Sequence, residues 1–429
     1  MGHPVHIFFL VLACAFLSVG KAEACTAVII SGKATADGRP MIWKNRDTGN
    51  LDNSIRYFDG EKYSFTGLAD SGSKGGEVWI GINTAGFAIM NTASYCLKDD
   101  DVPSSEMDRE GILMYRALEI CSDIGDFENF LDTLSRPMGV EANFCCIDAY
   151  GGAACYETGN TSYHKIDVNE CEDGFLVVTN FSVSGDPRRW KGVERYRTAY
   201  SIFREMQAEG SLARIHPLGI IDSLSRSYRH EVMGIDLRRD AERFLSHTSG
   251  CFADLDFIPR RSTSASVVIH GVAPGDDPFK SVIWAALGYP PASVAVPVPL
   301  AAEDHIPDAL SSYPDSDKDS FCGLSLYIRE SFVFYEDVSS MSRYVNLKYV
   351  LGDSDCTQST VGCSIKAEAG IRELFDAIYH GYLSGQLSLQ EYHEKYDCIS
   401  PQFFDICSHS FDCYLHYPGP SDTNDIDNG

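Results

Sequence analysis

Cys25 stands directly after Ala22-Glu23-Ala24, and those residues close an apolar stretch, HIFFLVLACAFLSVG, at positions 6–20. A cysteine at a newly made chain end offers particular chemistry. Its sulfur is a strong nucleophile once deprotonated. The α-amine on the same residue titrates near about 8, within reach of the sulfur, so one residue can supply both nucleophile and base. That chemistry requires the chain to be cut before Cys25. The apolar stretch is too short for a comfortable membrane span, and A-x-A before the cysteine fits signal-peptide cleavage. Residues 1–24 therefore read as a signal peptide, and the protein as exported, to a periplasmic or extracellular compartment. Two other readings of Cys25 stay open. It can be an ordinary buried cysteine, or the lipidated anchor of a non-catalytic exported lipoprotein, although Ala22 stands where lipidation favours a bulky aliphatic residue.

A nucleophilic cysteine needs positive charge to hold its thiolate and donors for the oxyanion it creates. Lys44, Asn45, Arg46 and Asp47 end an apolar run that can fold back beside Cys25. Asn91 and Asn180 each end a further apolar run, and Arg195 follows on a helical segment. Singly these are ordinary residues: a strand-end asparagine is most often a turn residue. Asn180 also opens an N-F-S sequon, so glycosylation competes with a catalytic role. His247 and His270 offer a Cys–His pair instead, but neither has a companion motif. No C-x-x-C pair occurs, and nothing in the pattern calls for a metal or a cofactor. Cys145-Cys146 reads as core filling. The cysteines at 356, 363, 398, 407 and 413 are the disulfide candidates.

The elements that must position these groups follow from periodicity. TAVIISG (26–32) and PMIWKNRD (40–47) read as strands joined by an Asp-Gly turn. Residues 78–94 read as a second pair turning at Asn83-Thr84-Ala85-Gly86. Helical spacing covers 106–123 and 126–135, the latter with Asp126 as N-cap. Strands return through NFCCIDAYG, AACYETG, SYHKID and GFLVVTNFS. A helix spans Pro187 to about Met206, and SASVVIHG (264–271) follows a mostly helical middle. Loops at 48–77 and 207–262 are the expected pocket walls. An acidic stretch, 301–320, reads as a linker or loop. The chain beyond it, 321–417, reads as a β/α extension, β-like over 323–350 and helical over 366–397. Residues 418–429 read as a disordered tail. Strand runs separated by helix runs imply an α+β layered sandwich rather than a parallel fold.

Composition narrows the function. The chain of 429 residues is 44% hydrophobic and 22% charged, which is ordinary for a globular protein. Its net charge of −26 excludes a general affinity for nucleic acid or anionic lipid.

Taken together, Cys-Thr at the start, DG a dozen residues later, KNRD, GINTAGFAIMN, VVTN and ERYRTAY resemble the N-terminal-nucleophile hydrolases of the linear amide C–N hydrolase group. That group includes choloylglycine hydrolases, penicillin V acylases and relatives of acyl-CoA:6-aminopenicillanic acid acyltransferase. The resemblance covers residues 25–300 and implies a four-layer αββα catalytic domain. It implies Cys25 as nucleophile with its α-amine as base, and Asp47 orienting that amine. It implies the Asn91 N–H and the Asn180 amide as oxyanion donors, with Arg195 completing the constellation. Lys44 stands where the group has arginine. Lysine keeps the charge but loses the planar fork, and Arg46 is the other candidate for that role. Strict alternation puts Lys44 and Asp47 on opposite faces, so a bulge or strand end must intervene. Thr26 and Asn83 read as structural. The implied partner is a small N-acyl amide, cleaved through a Cys25 thioester. A secreted Cys-start dipeptidase and an acyltransferase are the related alternatives. Self-association of the chain is left open.

Overall fold

The computed structural model describes residues 24–247, 249–300, 305–311, 318–337, 342–352 and 359–416. The proposed leader up to residue 23, Cys356, half of the acidic linker and the tail lie outside the described residues.

The N-terminal hairpin forms as read. β1 (Thr26–Ile30) pairs antiparallel with β2 (Met41–Asp47), and every position of both strands is buried. Burial on both faces explains why β1 and the first half of β2, Met41-Ile42-Trp43, run apolar instead of alternating, while the second half of β2 buries Lys44, Asn45, Arg46 and Asp47. The chain then lays down β3 (Asn53–Phe58), β4 (Phe65–Asp70), β5 (Ile80–Asn83) and β6 (Ala88–Ala93). Helices α1 (Glu110–Ile120) and α2 (Ile124–Thr133) follow, then β7 (Ala142–Ile147), β8 (Ala153–Thr158) and β9 (Tyr163–Asp167). These seven strands form one antiparallel sheet in sequence order. β10 (Phe175–Val178) returns to pair with β1.

Next come α3 (Val193–Ala208), α4 (Pro217–Ile220), a short ribbon of β11 (Arg229–His230) and β12 (Ile235–Asp236), α5 (Ala241–His247) and β13 (Cys251–Phe252). Strands β14 (Thr263–His270), β15 (Val282–Leu287) and β16 (Ala295–Pro299) complete a six-stranded sheet ordered β10-β1-β2-β14-β15-β16.

The two sheets face each other, with β2 against β6 and β7 and β1 against β8. α1 covers β5 and β6 on one outer face; α3 and α4 cover β10 and β14 on the other. The result is the expected four-layer αββα sandwich.

The C-terminal part adds α6 (Asp308–Ser311), α7 (Phe321–Ile328), β17 (Phe334–Asp337), β18 (Ser342–Asn346), α8 (Leu347–Leu351), α9 (Thr360–Leu383), α10 (Leu389–Ile399), α11 (Pro401–Ser410) and α12 (Asp412–Leu415). It is woven into the sandwich. β18 pairs with β13, and α9 packs on β16. One buried apolar cluster runs from the six-stranded sheet through α7 and α9 to Tyr414. No described helix is long and apolar enough to cross a membrane.

Several elements differ from the sequence reading. Residues 48–77 carry β3 and β4 rather than a loop. Their polar residues hide the period, yet Ile55, Phe58, Phe65 and Leu68 are buried. Gly67 lies opposite Gly81 in the ladder, and a Cβ there would fall 2.5 Å from Val78. The apolar run FCGLSLYI within the β-like stretch is α7, capped by the Ser320 hydroxyl accepting from the Gly323 N–H, 3.0 Å. A run that short fits either period. α2 begins at Ile124 behind Asp123, which caps it, while the Asp126 carboxylate turns back to Ser122. The helical stretch 366–397 breaks at Gly385, whose φ of 74° suits glycine, and a capping box at Ser388 and Glu391 restarts it. Cys398 and Cys407 form no disulfide among the described residues, while Cys363 and Cys413 lie within hydrogen-bond reach of each other. Cys145 and Cys146 are buried in β7, as core residues.

Candidate active site

Strand register places Cys25. Thr26 lies opposite Asn45, and the Ala24 N–H donates to the Asp47 carbonyl at 3.3 Å. Cys25 therefore stands beside Arg46 and shares a face with Lys44, turned toward the second sheet. It is 2% exposed. From that face the Lys44 Nζ donates to Asn91 Oδ1 at 2.6 Å and to the Trp79 carbonyl at 2.9 Å. The Arg46 guanidinium is held elsewhere. It bonds Asn53 and, at 2.6 Å, Asp70, and lies 4.5 Å from the Trp79 ring centre. Of the two cations, Lys44 is the one that reaches a candidate site residue.

Asp47 belongs to the opposite face, as alternation requires. It is the last residue of β2, where the pairing with β14 slips between Thr263 and Ala265. Its carboxylate is fully buried and fully used. Oδ1 accepts from Thr263 Oγ1 at 2.6 Å and Asn45 Nδ2 at 3.1 Å. Oδ2 accepts from Arg260 Nε at 2.8 Å and Nη2 at 2.7 Å. Lys44 and Asp47 thus flank Cys25 from either side of the sheet instead of meeting.

Arg260 was not singled out from sequence. Its signal was slight: a Pro-Arg-Arg triplet just before an apolar strand, with nothing to mark which arginine turns inward. Its Nη2 also donates to the Ala24 carbonyl at 2.5 Å. Arg195, on α3, approaches the same point. Its Nη1 donates to the carbonyls of Ala24 (3.0 Å) and Cys25 (2.6 Å) and to Thr26 Oγ1 (2.7 Å). Its Nη2 donates to Asn180 Oδ1 at 2.7 Å. Thr26, read as merely structural, is therefore a support of Arg195.

Two buried guanidinium groups so close must disturb each other. Burial and the charge of Arg260 lower the Arg195 pKa to about 10, with Asp47 and the Cys25 sulfur opposing that fall. For Arg260, burial also works against the charge, but Asp47 outweighs it and the pKa rises. Both side chains remain cationic at neutral pH, and both lie within electrostatic reach of the Cys25 sulfur.

Asn180 is fully buried, which leaves no room for a glycan in this fold. Its Nδ2 donates to the Ala93 carbonyl at 2.9 Å, and the amide has a second N–H. Asn91 lies on β6, opposite Phe144 of β7. Asn83 is structural: its side chain closes the β5–β6 turn and bonds the end of α1 through the Leu118 and Cys121 carbonyls. His270 ends β14 opposite Met41, at the far end of β2 from Asp47. Six residues of strand separate those ends, roughly 20 Å, so His270 forms no dyad with Cys25. The His247 side chain lies outside the described residues. Among the described residues no cluster of His, Cys, Asp and Glu could hold a metal.

Two cavities flank the Cys25 end of the sheets. One, about 540 Å³, is lined by Asn91, Trp79, Glu110 and Lys191. The other, about 530 Å³, is lined by Thr48, Asp254, Arg260 and Arg329.

No family model matches the chain, and no curated protein matches it. Solved structures do. An N-acylethanolamine-hydrolyzing acid amidase orthologue from Caenorhabditis elegans is 14% identical, with a TM-score of 0.36, covering 59% of this chain and 94% of that one. A variant of conjugated bile acid hydrolase from Clostridium perfringens is 11% identical, with a TM-score of 0.38, covering 67% and 94%. Penicillin V acylase from Agrobacterium tumefaciens is 13% identical, with a TM-score of 0.35, covering 64% and 84%.

Proposed function

We propose that the protein is an exported amidase that cleaves a linear C–N bond through a thioester on Cys25, after removal of residues 1–24. The observation that carries this is the convergence of Arg195 and Arg260 on the Ala24–Cys25 junction, with Asp47 fixed on one of them. Cleavage there would put the Cys25 α-amine among those groups. Nearby cations disfavour an ammonium ion, so the amine stays neutral enough to act as a base, and the Asp47 carboxylate limits that effect by holding Arg260 beside it.

The reaction then runs in two steps. The Cys25 sulfur adds to the amide carbonyl carbon, and its proton passes to the α-amine. The oxyanion is met by the Asn91 N–H and a side-chain amide N–H of Asn180. The C–N bond breaks as the α-amine returns the proton to the leaving nitrogen, leaving a thioester. Water, deprotonated by the same amine, adds to the thioester carbonyl. The carboxylic acid departs, and the proton returns to sulfur. Arg195 and Lys44 hold Asn180 and Asn91 in place throughout.

The test is a chain beginning at Cys25, and its Cys25→Ala variant, assayed against N-acyl amino acids, bile-acid conjugates, penicillin V and dipeptides. Release of amine with a transient acyl adduct on Cys25 supports the proposal. The variant should lose all detectable turnover; equal turnover by the variant refutes the proposal. Transfer of the acyl group to an added amine would assign the acyltransferase reading instead.

A further inference from the structure

The cavity on the Asp47 side contains a buried cation, Arg329, whose hydrogen-bonding capacity is largely unused, although Asp254 and Glu330 act on its charge. Arg329 opens the irregular turn after α7 and belongs to the C-terminal part of the chain, outside the hairpin and sheets that carry Cys25. Its side chain is 1% exposed. Nη2 donates to the Arg261 carbonyl at 2.5 Å. Nε and Nη1 make no hydrogen bond among the described residues. The nearest counter-charge is Glu330, with Oε1 3.3 Å from Nη1, and that carboxylate is half exposed to water. The guanidinium lies over the Phe334 ring, 4.9 Å from its centre, a contact that does not neutralise it. Burial accordingly lowers its pKa.

A buried guanidinium with two idle donors fits one ligand chemistry best. A carboxylate takes two parallel N–H bonds from the planar fork. Arg329 and Arg260 line the same cavity, and Arg260 links that cavity to Asp47 and the Ala24–Cys25 junction. That cavity balances Arg260, Arg261 and Arg329 against Asp254, Asp256 and Glu330, whereas the cavity on the Asn91 side is acidic. Glu77, Asp108, Glu110 and Glu141 line it against Lys98 and Lys191, an acidic balance that disfavours a second anion.

We propose that Arg329 is a specificity-determining residue that binds a carboxylate on the half of the substrate lying on the Asp47–Arg260 side of Cys25. The inference rests on the amidase reading above and adds the substrate class to it. It also assigns a purpose to the C-terminal part of the chain, which completes the substrate site from outside the catalytic sandwich.

Alkylation of Cys25 tests this without knowledge of the substrate. Iodoacetate and iodoacetamide react with a thiolate by the same displacement of iodide, and differ in that one carries a carboxylate. The rate of each at Cys25 is read from the mass of its peptide in a chain beginning at Cys25. The ratio of the two rates cancels changes in sulfur reactivity. Arg329→Gln should lower the ratio by about tenfold, the size of a lost charge-assisted hydrogen bond. Glu330→Gln removes a competing exposed carboxylate without disturbing the core, and should raise the ratio by about twofold. If Arg329→Gln fails to fold, Glu330→Gln alone decides. An unchanged ratio in the folded variants overturns the carboxylate site and leaves the amidase reading standing. A Cys25 that iodoacetamide does not label refutes the nucleophile, and this inference with it.

Discussion

Two buried arginine centres sit in this molecule, and they are built oppositely. Arg226, in the loop before β11, is matched completely. Its Nη1 and Nη2 donate to the two oxygens of Glu368 on α9, at 3.0 and 2.6 Å. Its remaining donors meet the carbonyls of Pro290 and Ser293, both at 2.9 Å. Glu368 in turn accepts from the Ala295 N–H at 2.8 Å. The charge is cancelled where it stands, and the pair ties α9 to the edge of the six-stranded sheet. The centre at Cys25 is left in surplus. Of the two arginines only Arg260 is hydrogen-bonded to a carboxylate, Asp47, while Arg195 bonds only neutral oxygens among the described contacts and Asp254 and Asp256 act on the pair without a hydrogen bond. A fold that cancels charge where it holds helices together, and leaves cationic charge in excess beside a thiol, separates scaffold from chemistry.

The contrast can be broken first at the matched pair. Arg226→Met leaves Glu368 buried without its partner and should cost about 3–5 kcal/mol of stability, read by denaturant unfolding. Turnover per folded molecule should be unchanged. Replacing both members, Arg226→Met with Glu368→Leu, should recover most of that loss, because the penalty belongs to the unpaired charge. At the surplus centre the expectation reverses. Arg195→Met should lower turnover by about a hundredfold or more, since Asn180 loses the group that orients it toward the oxyanion. Its stability should fall by about 1–3 kcal/mol, less than for Arg226→Met, because the buried acceptors it leaves are neutral oxygens and no carboxylate is orphaned. A large stability loss with normal turnover would place Arg195 in the scaffold.

The smallest effect sharpens the same contrast through pH. Burial raises the Asp254 pKa from 3.8 to about 6, against the pull of Arg260 and Arg329 and with a push from Asp47. A carboxyl whose folded pKa is raised costs stability where it is ionised in the fold, above pH 6, and costs nothing below its unfolded pKa. Asp254→Asn should therefore be more stable than the parent at pH 7 to 8, by about 1–3 kcal/mol. The advantage should shrink as pH falls through 6 and vanish by about pH 4. Melting temperatures of the two proteins across that range decide the point. An advantage independent of pH would mean that the gain is packing and not charge.

What could be read in advance was whatever local pattern decides. The β1–β2 hairpin is doubly buried and bracketed by a turn, so its strands were visible, and with them Cys25, Lys44 and Asp47. The face alternation of β2 also foretold that Lys44 and Asp47 would not meet on a flat strand. Arg260 stayed hidden because its role depends on a pairing of sequence-distant segments, β14 against β2, that no local spacing encodes. Arg329 lay in a run read as β-like and sits in a turn after a helix. Asn83 and Asn180 look alike in sequence, each at the end of an apolar run. Only the tertiary partners, helix carbonyls for one and Arg195 for the other, tell them apart.

The central claim is that Cys25 works as a chain terminus. It is tested most directly by comparing turnover of two purified chains, one beginning at Cys25 and one retaining Ala24, each with its first residue confirmed by intact mass. With Ala24 in place the nitrogen of Cys25 is an amide and cannot take a proton from the sulfur. The account predicts turnover in the chain that begins at Cys25 and none in the other, with equal melting temperatures. Equal turnover in the two chains would contradict it.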